Sequence, residues 1–184
     1  MIVYLLVIIV SKVLFYRRYR KYRRIKWLFE VINILFVVYL LKLIQVTIIP
    51  MHHGSPGYFA INMMPFQYVI SDIKLIGISY GGDGLFQISL ILKNVLGNTL
   101  LLVPFGLYLA VIFKDKVKWY HGFYISLFIE VSQLIMTYIG LSARISDIDD
   151  LILNTLGFTF AIWIMKRLSR IKWIDELIDY KEVA

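Results

Sequence analysis

At 184 residues the chain has the length of a single domain. Sixty per cent of it is hydrophobic, only 17% is charged, and mean hydropathy is +0.75, beyond the roughly half-apolar norm of soluble domains. That composition excludes an ordinary soluble globule and indicates an integral membrane protein. The net charge of +8 falls beside apolar runs, where orientation signals and anionic lipid explain it better than nucleic acid. The absence of cysteine rules out disulfides and thiolate chemistry.

A helix needs about 20 apolar residues to cross the hydrocarbon core, and about five stretches approach that length. The first covers residues 2–16 and carries Lys12, which can snorkel. It lacks a basic segment before it and a small-residue cleavage site after it, so an uncleaved span is expected. The run Arg17-Arg18-Tyr19-Arg20-Lys21-Tyr22-Arg23-Arg24-Ile25-Lys26 follows. The second span covers residues 27–49, with Glu30 near one end and Lys42 and Gln45 toward the other. The third covers residues 86–113 and is expected to bend at Pro104. Spans four and five cover residues 119–139 and 151–165. The fold class is therefore an all-α membrane bundle. Residues 1–26 hold the first span and basic loop, 27–168 the membrane domain and 169–184 a tail.

Basic residues set the orientation. The run Arg17 to Lys26, then Lys114, Lys116 and Lys118, then Lys166, Arg167, Arg170 and Lys172, occupy alternate connections and must share one side. The intervening segments, 50–85 and 140–150, carry few cations. The expected topology has the N-terminus outside and the C-terminus in the cytoplasm, with Arg17 to Lys26 against anionic inner-leaflet lipid.

The outer segment 50–85 mixes turn formers, Gly54-Ser55-Pro56-Gly57 and Gly81-Gly82-Asp83-Gly84, with apolar pieces. That mixture suggests a segment lying on or dipping into the outer leaflet, with a short interfacial helix. His52-His53 is a weak metal signal, since adjacent side chains do not converge. Loop polarity explains the pair better.

Helical spacing groups the remaining polar residues. Ser126, Glu130, Gln133 and Thr137 form one stripe on span four, Asn94 and Asn98 share a face of span three, and Asp150, Asn154, Gly157 and Ala161 line span five. Amides bond across helices and small residues permit close approach, so these stripes should face one another. From the helical rise Glu130 sits about 16 Å above the cytoplasmic end of span four, near mid-membrane. Asn94 lies about 12 Å and Asn98 about 18 Å below the outer end of span three, and Asn154 about one turn below that of span five. Arg144, Asp147, Asp149 and Asp150 are expected on a short loop directly above. The expected result is an outward-facing polar pocket floored by Glu130. Each residue also has a structural reading: interhelical amide bonds, an ion pair of Glu130 with Lys93 or Lys42, and an aspartate cap on span five.

Ordered motifs give these residues a family likeness. Asn62-Met-Met-Pro65-Phe66, then Asn94-Val-Leu-Gly-Asn98 with Pro104-Phe105-Gly106, then Glu130-x-x-Gln133, Arg144, Asp147-x-Asp149-Asp150, Asn154 and Gly157 resemble the pattern of the VanZ-like family of bacterial membrane proteins. The likeness covers residues 60–161. It implies a multi-pass protein of the bacterial cytoplasmic membrane and a link to teicoplanin, the lipoglycopeptide associated with the family's name member. It assigns no molecular activity.

Two mechanisms fit the residues. In a binding protein, Arg144 would hold a carboxylate or phosphate with its planar fork, above Asn94, Asn98, Glu130, Gln133, Asp147, Asp149, Asp150 and Asn154. The ligand would be a lipid-linked cell-wall precursor or the lipopeptide antibiotic. In an enzyme acting on an envelope lipid headgroup, Glu130 would serve as general acid or base. Asp147, Asp149 and Asp150 would then hold a divalent cation, the one cofactor the residues suggest. A small transporter is disfavoured by the absence of inverted repeats. A bundle of this size could also pair as a homodimer.

Overall fold

The computed structural model describes residues 27–49 and 61–169, together with Ile9, Lys12, Val13, residues 15–17, Arg20, Gly54, Pro56 and Gly57. Most of the first span, most of the Arg17 to Lys26 run, His52-His53 and the tail beyond Ser169 lie outside the described residues.

The chain is mostly helical. Helix α1 spans Trp27–Thr47, β1 is Ile61–Asn62 and α2 is Gln67–Lys74. Helices α3 (Gly84–Leu101) and α4 (Val103–Phe113) follow, then a 3₁₀ turn at Lys114–Lys116, α5 (Trp119–Tyr138), β2 (Ser146–Asp147) and α6 (Ile148–Leu168). Among the described residues three helical stretches are long and apolar enough to cross a membrane: Trp27–Thr47, Gly84–Lys116 and Ile148–Leu168. Helix α5 has comparable length, 20 residues, but is not one of them. It interrupts its apolar residues with Glu130, Gln133 and the Tyr and His residues of its first turns.

Span three bends where Pro104 leads one to expect it. The helical run breaks at Leu102, whose φ of −97° and ψ of 3° are no longer helical. A proline ring clashes with the preceding turn and removes one donor, leaving a carbonyl unpaired. That carbonyl, Leu100's, accepts instead from the Leu102 amide, and beside it the Tyr39 hydroxyl of α1 donates to the Leu101 carbonyl at 2.7 Å. In hydrocarbon a carbonyl at a helix end must find a protein partner, so this bond also fixes α1 against the end of α3. The Tyr108 hydroxyl donates to Asn33 Oδ1 at 2.6 Å, and the rings of Phe36 and Tyr108 stack with centroids 3.5 Å apart.

Helix α6 is the centre of the bundle and packs on α3, α4 and α5. Its Phe158 and Ala161 are fully buried. The packing depends on missing side chains: a Cβ built on Gly122 would fall 2.5 Å from the Phe158 ring, and one on Gly106 2.8 Å from Ala161 Cβ. Without hydrophobic driving force between helices in lipid, such close backbone approach supplies the contact energy.

The segment between α1 and α3 contains a short helix, α2, as expected, and it packs against α3. The expected loop above span four takes a different course. After Tyr138 the chain turns at Gly140 (φ 79°) and runs back down along α5. Thr137 Oγ1 donates to the Arg144 carbonyl at 3.0 Å, and Ser146 Oγ donates to Glu130 Oε2 at 3.0 Å. From Thr137 to Glu130 is about 10 Å of helix. At that level Ile61 and Asn62 pair in parallel with Ser146 and Asp147.

Candidate functional site

Two segments of non-helical backbone therefore meet at the depth of Glu130, and α6 starts there. Irregular backbone at such depth needs protein partners. Each polar side chain of the region has a place in supplying them.

Glu130 is buried and accepts two hydrogen bonds on one oxygen, from Ser146 Oγ and from the Asp147 amide at 3.1 Å. It thus caps the end of the descending segment. The two lysines considered as ion-pair partners are elsewhere: Lys42 donates to Gln45 Oε1 at 3.0 Å, and Lys93 is exposed. Gln133 Nε2 donates to the Thr47 carbonyl at 3.1 Å, tying α5 to the end of α1. Ser126, Glu130, Gln133 and Thr137 are all buried, so the polar stripe faces inward along its whole length.

Asp147 is the N-cap of α6, with Oδ1 accepting from the Asp149 amide at 3.0 Å and from Asn62 Nδ2 at 3.0 Å. That cap starts the helix at Ile148, three residues before the expected position. Asp149 and Asp150 consequently lie in its first turn, and Asn154 about two turns in. Carboxylates there also complement the helix dipole. Asp149 Oδ1 accepts from the Phe66 amide at 2.6 Å, and Phe66 adopts the left-handed φ of 59° that turns the chain into α2. Asp150 accepts from Asn98 Nδ2, which also donates to Asn94 Oδ1 at 3.2 Å. Asn94 itself is exposed and reaches the centre only through Asn98. Asn154 Nδ2 donates to Ser126 Oγ at 3.1 Å.

The structure thus joins Asn98, Glu130, Asp147, Asp149 and Asp150 through a chain of hydrogen bonds and backbone, with Asn94 at its edge. Gln133 and Asn154 belong to neighbouring interhelical contacts. Arg144 is half-buried on the descending segment, and its charge acts on Glu130 and Asp150. Among the described residues its guanidinium has no hydrogen-bond or ion-pair partner. The acceptor oxygens of the three aspartates point to different donors, and among the described residues no group of three or more His, Asp and Glu is placed to hold a metal ion.

Two residues of this centre escape a periodicity argument. Ser146 lies in an extended segment with no stripe to join. Asn62 stands in the Asn62-to-Phe66 motif but 85 residues from its partner Asp147.

Asp149→Ala should release the Asn62-to-Phe66 segment, because the Phe66 amide would lose its acceptor in a part-buried setting. Hydrogen exchange should show the Phe66 amide losing protection while Asp149→Asn, which keeps a carbonyl oxygen, retains most of it. Equal protection in Asp149→Ala would show that this bond does not hold the segment.

The apolar helical bundle, its internal polar centre and its paired extended segments define a class: a helical membrane protein with non-helical backbone packed against its helices. The family model described as VanZ/LLP1 matches residues 36–170, which covers most of the chain. The protein belongs to the VanZ/LLP1 family. No curated protein and no solved structure gives a match.

Proposed function

We propose that this chain is a cell-envelope protein that binds an anionic, lipid-anchored ligand in the outer half of a bacterial cytoplasmic membrane. The ligand class is a lipid-linked cell-wall precursor or a lipoglycopeptide antibiotic, and the family likeness suggests glycopeptide (teicoplanin) resistance as the setting. The topology that goes with this reading has five spans, an outer N-terminus and a cytoplasmic C-terminus, following the basic segments.

The observation that carries the reading is Arg144. Its backbone is held by Thr137, while its guanidinium has no partner among the described residues and is half-buried beside carboxylates that already have donors. A planar cation so placed suits a phosphate or carboxylate. An apolar groove of 370 Å³ gives further support for a lipid tail, since Leu43, Ile44, Ile48, Phe105, Phe128 and Ile129 line it. Its rim includes Thr47, whose carbonyl receives Gln133.

Purified protein should bind a polyprenyl-diphosphate-linked precursor or teicoplanin, and Arg144→Ala should weaken that binding about 10- to 100-fold. Arg144→Lys should retain part of the affinity, because it keeps charge but loses the fork. Calorimetric titration measures all three. Unchanged affinity in Arg144→Ala would overturn the proposal.

An enzyme acting on an envelope lipid headgroup is the second reading. It is favoured by Glu130, whose two hydrogen bonds both fall on Oε2 and leave Oε1 for proton transfer. Turnover of such a lipid by purified protein, lost in Glu130→Gln, would replace the binding reading with this one.

A further inference from the structure

At the opposite end of the bundle from the Arg144 segment, the C-terminal ends of α4 and α6 enclose a cleft of 310 Å³. Ala110, Lys114, Asp115, Met165, Lys166 and Ser169 line it. Ala110 and Met165 are buried and apolar, while the charged residues follow directly on the two helices. The surroundings are strongly basic: residues 114–118 and 166–169 contain Lys114, Lys116, Lys118, Lys166 and Arg167 against one acid, Asp115. Lys114 holds a left-handed φ of 47°, a conformation costly for a residue with a Cβ, and so carries the chain around the cleft.

A second set of observations places this end in the plane of a membrane surface. Trp119 is 57% and Trp163 54% exposed, although both rings are large and amphipathic. Arg167 stands 5.3 Å over the Trp163 ring, and Trp163 stacks on Phe160. Exposed tryptophans with cations at the ends of apolar helices form the belt that sits at headgroup level.

We propose that the cleft binds the headgroup of an anionic phospholipid. Lys114 and Lys166 meet the phosphate, the apolar Ala110 and Met165 carry the start of the acyl chains, and Asp115 and Ser169 offer hydrogen-bonding groups to headgroup hydroxyls. Basic pockets between membrane helices recognise lipid phosphates by this combination of cation and apolar floor. The site is separate from the Arg17 to Lys26 run and independent of the ligand proposed at Arg144.

The test is lipid retention by the full-length protein, measured by native mass spectrometry after extraction from vesicles of phosphatidylcholine mixed with phosphatidylglycerol. The wild type should retain phosphatidylglycerol selectively. Each cation near an anionic surface is worth about fivefold in affinity, so Lys114→Gln/Lys166→Gln should retain it about 25-fold more weakly. Lys116→Gln/Lys118→Gln removes the same charge outside the cleft and should change retention much less. Arg144→Ala should retain the lipid as the wild type does. Inorganic phosphate should not displace it, because the apolar floor contributes to a lipid and not to a free ion. No preference for phosphatidylglycerol in the wild type, equal loss in the two double variants, or displacement by inorganic phosphate would each overturn the proposal.

Discussion

Gly157→Ala should lower the unfolding free energy of this protein by about 3 kcal/mol, a large effect for one methyl group. A Cβ at Gly157 would stand 1.7 Å from the Thr99 carbonyl oxygen and 2.8 Å from its carbon. These are backbone atoms of α3, so no rotamer change relieves the clash, and α3 must move away from α6. That movement would also pull Asn98, the next residue along, from Asp150. Gly97 is the control, because it lies on α3, the helix that Gly157 meets, is exposed, and has nothing within 4 Å of its missing Cβ. Gly97→Ala should be neutral or stabilising by up to about 1 kcal/mol from helix propensity. Unfolding in mixed micelles, followed by circular dichroism, compares the two. Equal stabilities would mean that the α3–α6 contact is looser than the geometry requires.

Glu130→Ala is the second large effect expected, at about 2 to 4 kcal/mol. The substitution leaves the Asp147 amide without an acceptor and the Ser146 hydroxyl with only the Glu130 carbonyl at 3.4 Å, and a donor shut from water without a partner costs its desolvation. Glu130→Gln keeps a carbonyl oxygen in the same position and should cost about 1 kcal/mol. The ordering matters more than the sizes. Glu130→Ala well below Glu130→Gln in stability identifies the residue as an anchor for the descending segment. Equal stability of the two variants would show that neither hydrogen bond contributes. Exchange at the Asp147 amide, fast in Glu130→Ala and slow in Glu130→Gln, separates local release of the segment from general loosening.

Periodicity was a good guide where the chain is helical. The four-three-four spacing of Ser126, Glu130, Gln133 and Thr137 put them on one face, and all four are buried. Pro104 indicated the bend at Leu102, and Gly157 and Ala161 indicated the close side of α6. The same reasoning treated Asn94 and Asn98 alike, yet Asn94 is exposed and Asn98 half-buried. Residues four apart on a helix differ by about 40° in direction, enough to put one over a neighbouring helix and the other outside it.

The descent of residues 141–147 was not legible, and the reason is physical. A two-residue strand has no alternation to read, and its pairing with Ile61 and Asn62 depends on segments distant in sequence. Counting helical rise assumed that polar residues beyond span four stay outside the bundle. Glu130 overrides that assumption, since a buried carboxylate needs donors and the returning chain brings two. The aspartate cap was anticipated, but its effect on where α6 starts was not.

The parallel pairing of Ile61–Asn62 with Ser146–Asp147 also has a consequence for the order of assembly. Asn62 meets Asp147 across 85 residues, and closing so long a loop costs entropy before any contact returns it. Helices α3 to α5 lie within that loop, so they must be synthesised and brought together first. A nascent chain that ends before Ser146 carries Glu130 with neither of the donors found in the complete protein. The polar centre should therefore form only after α3 to α5 are in place, and its formation reports that the chain has been made at least as far as Asp150.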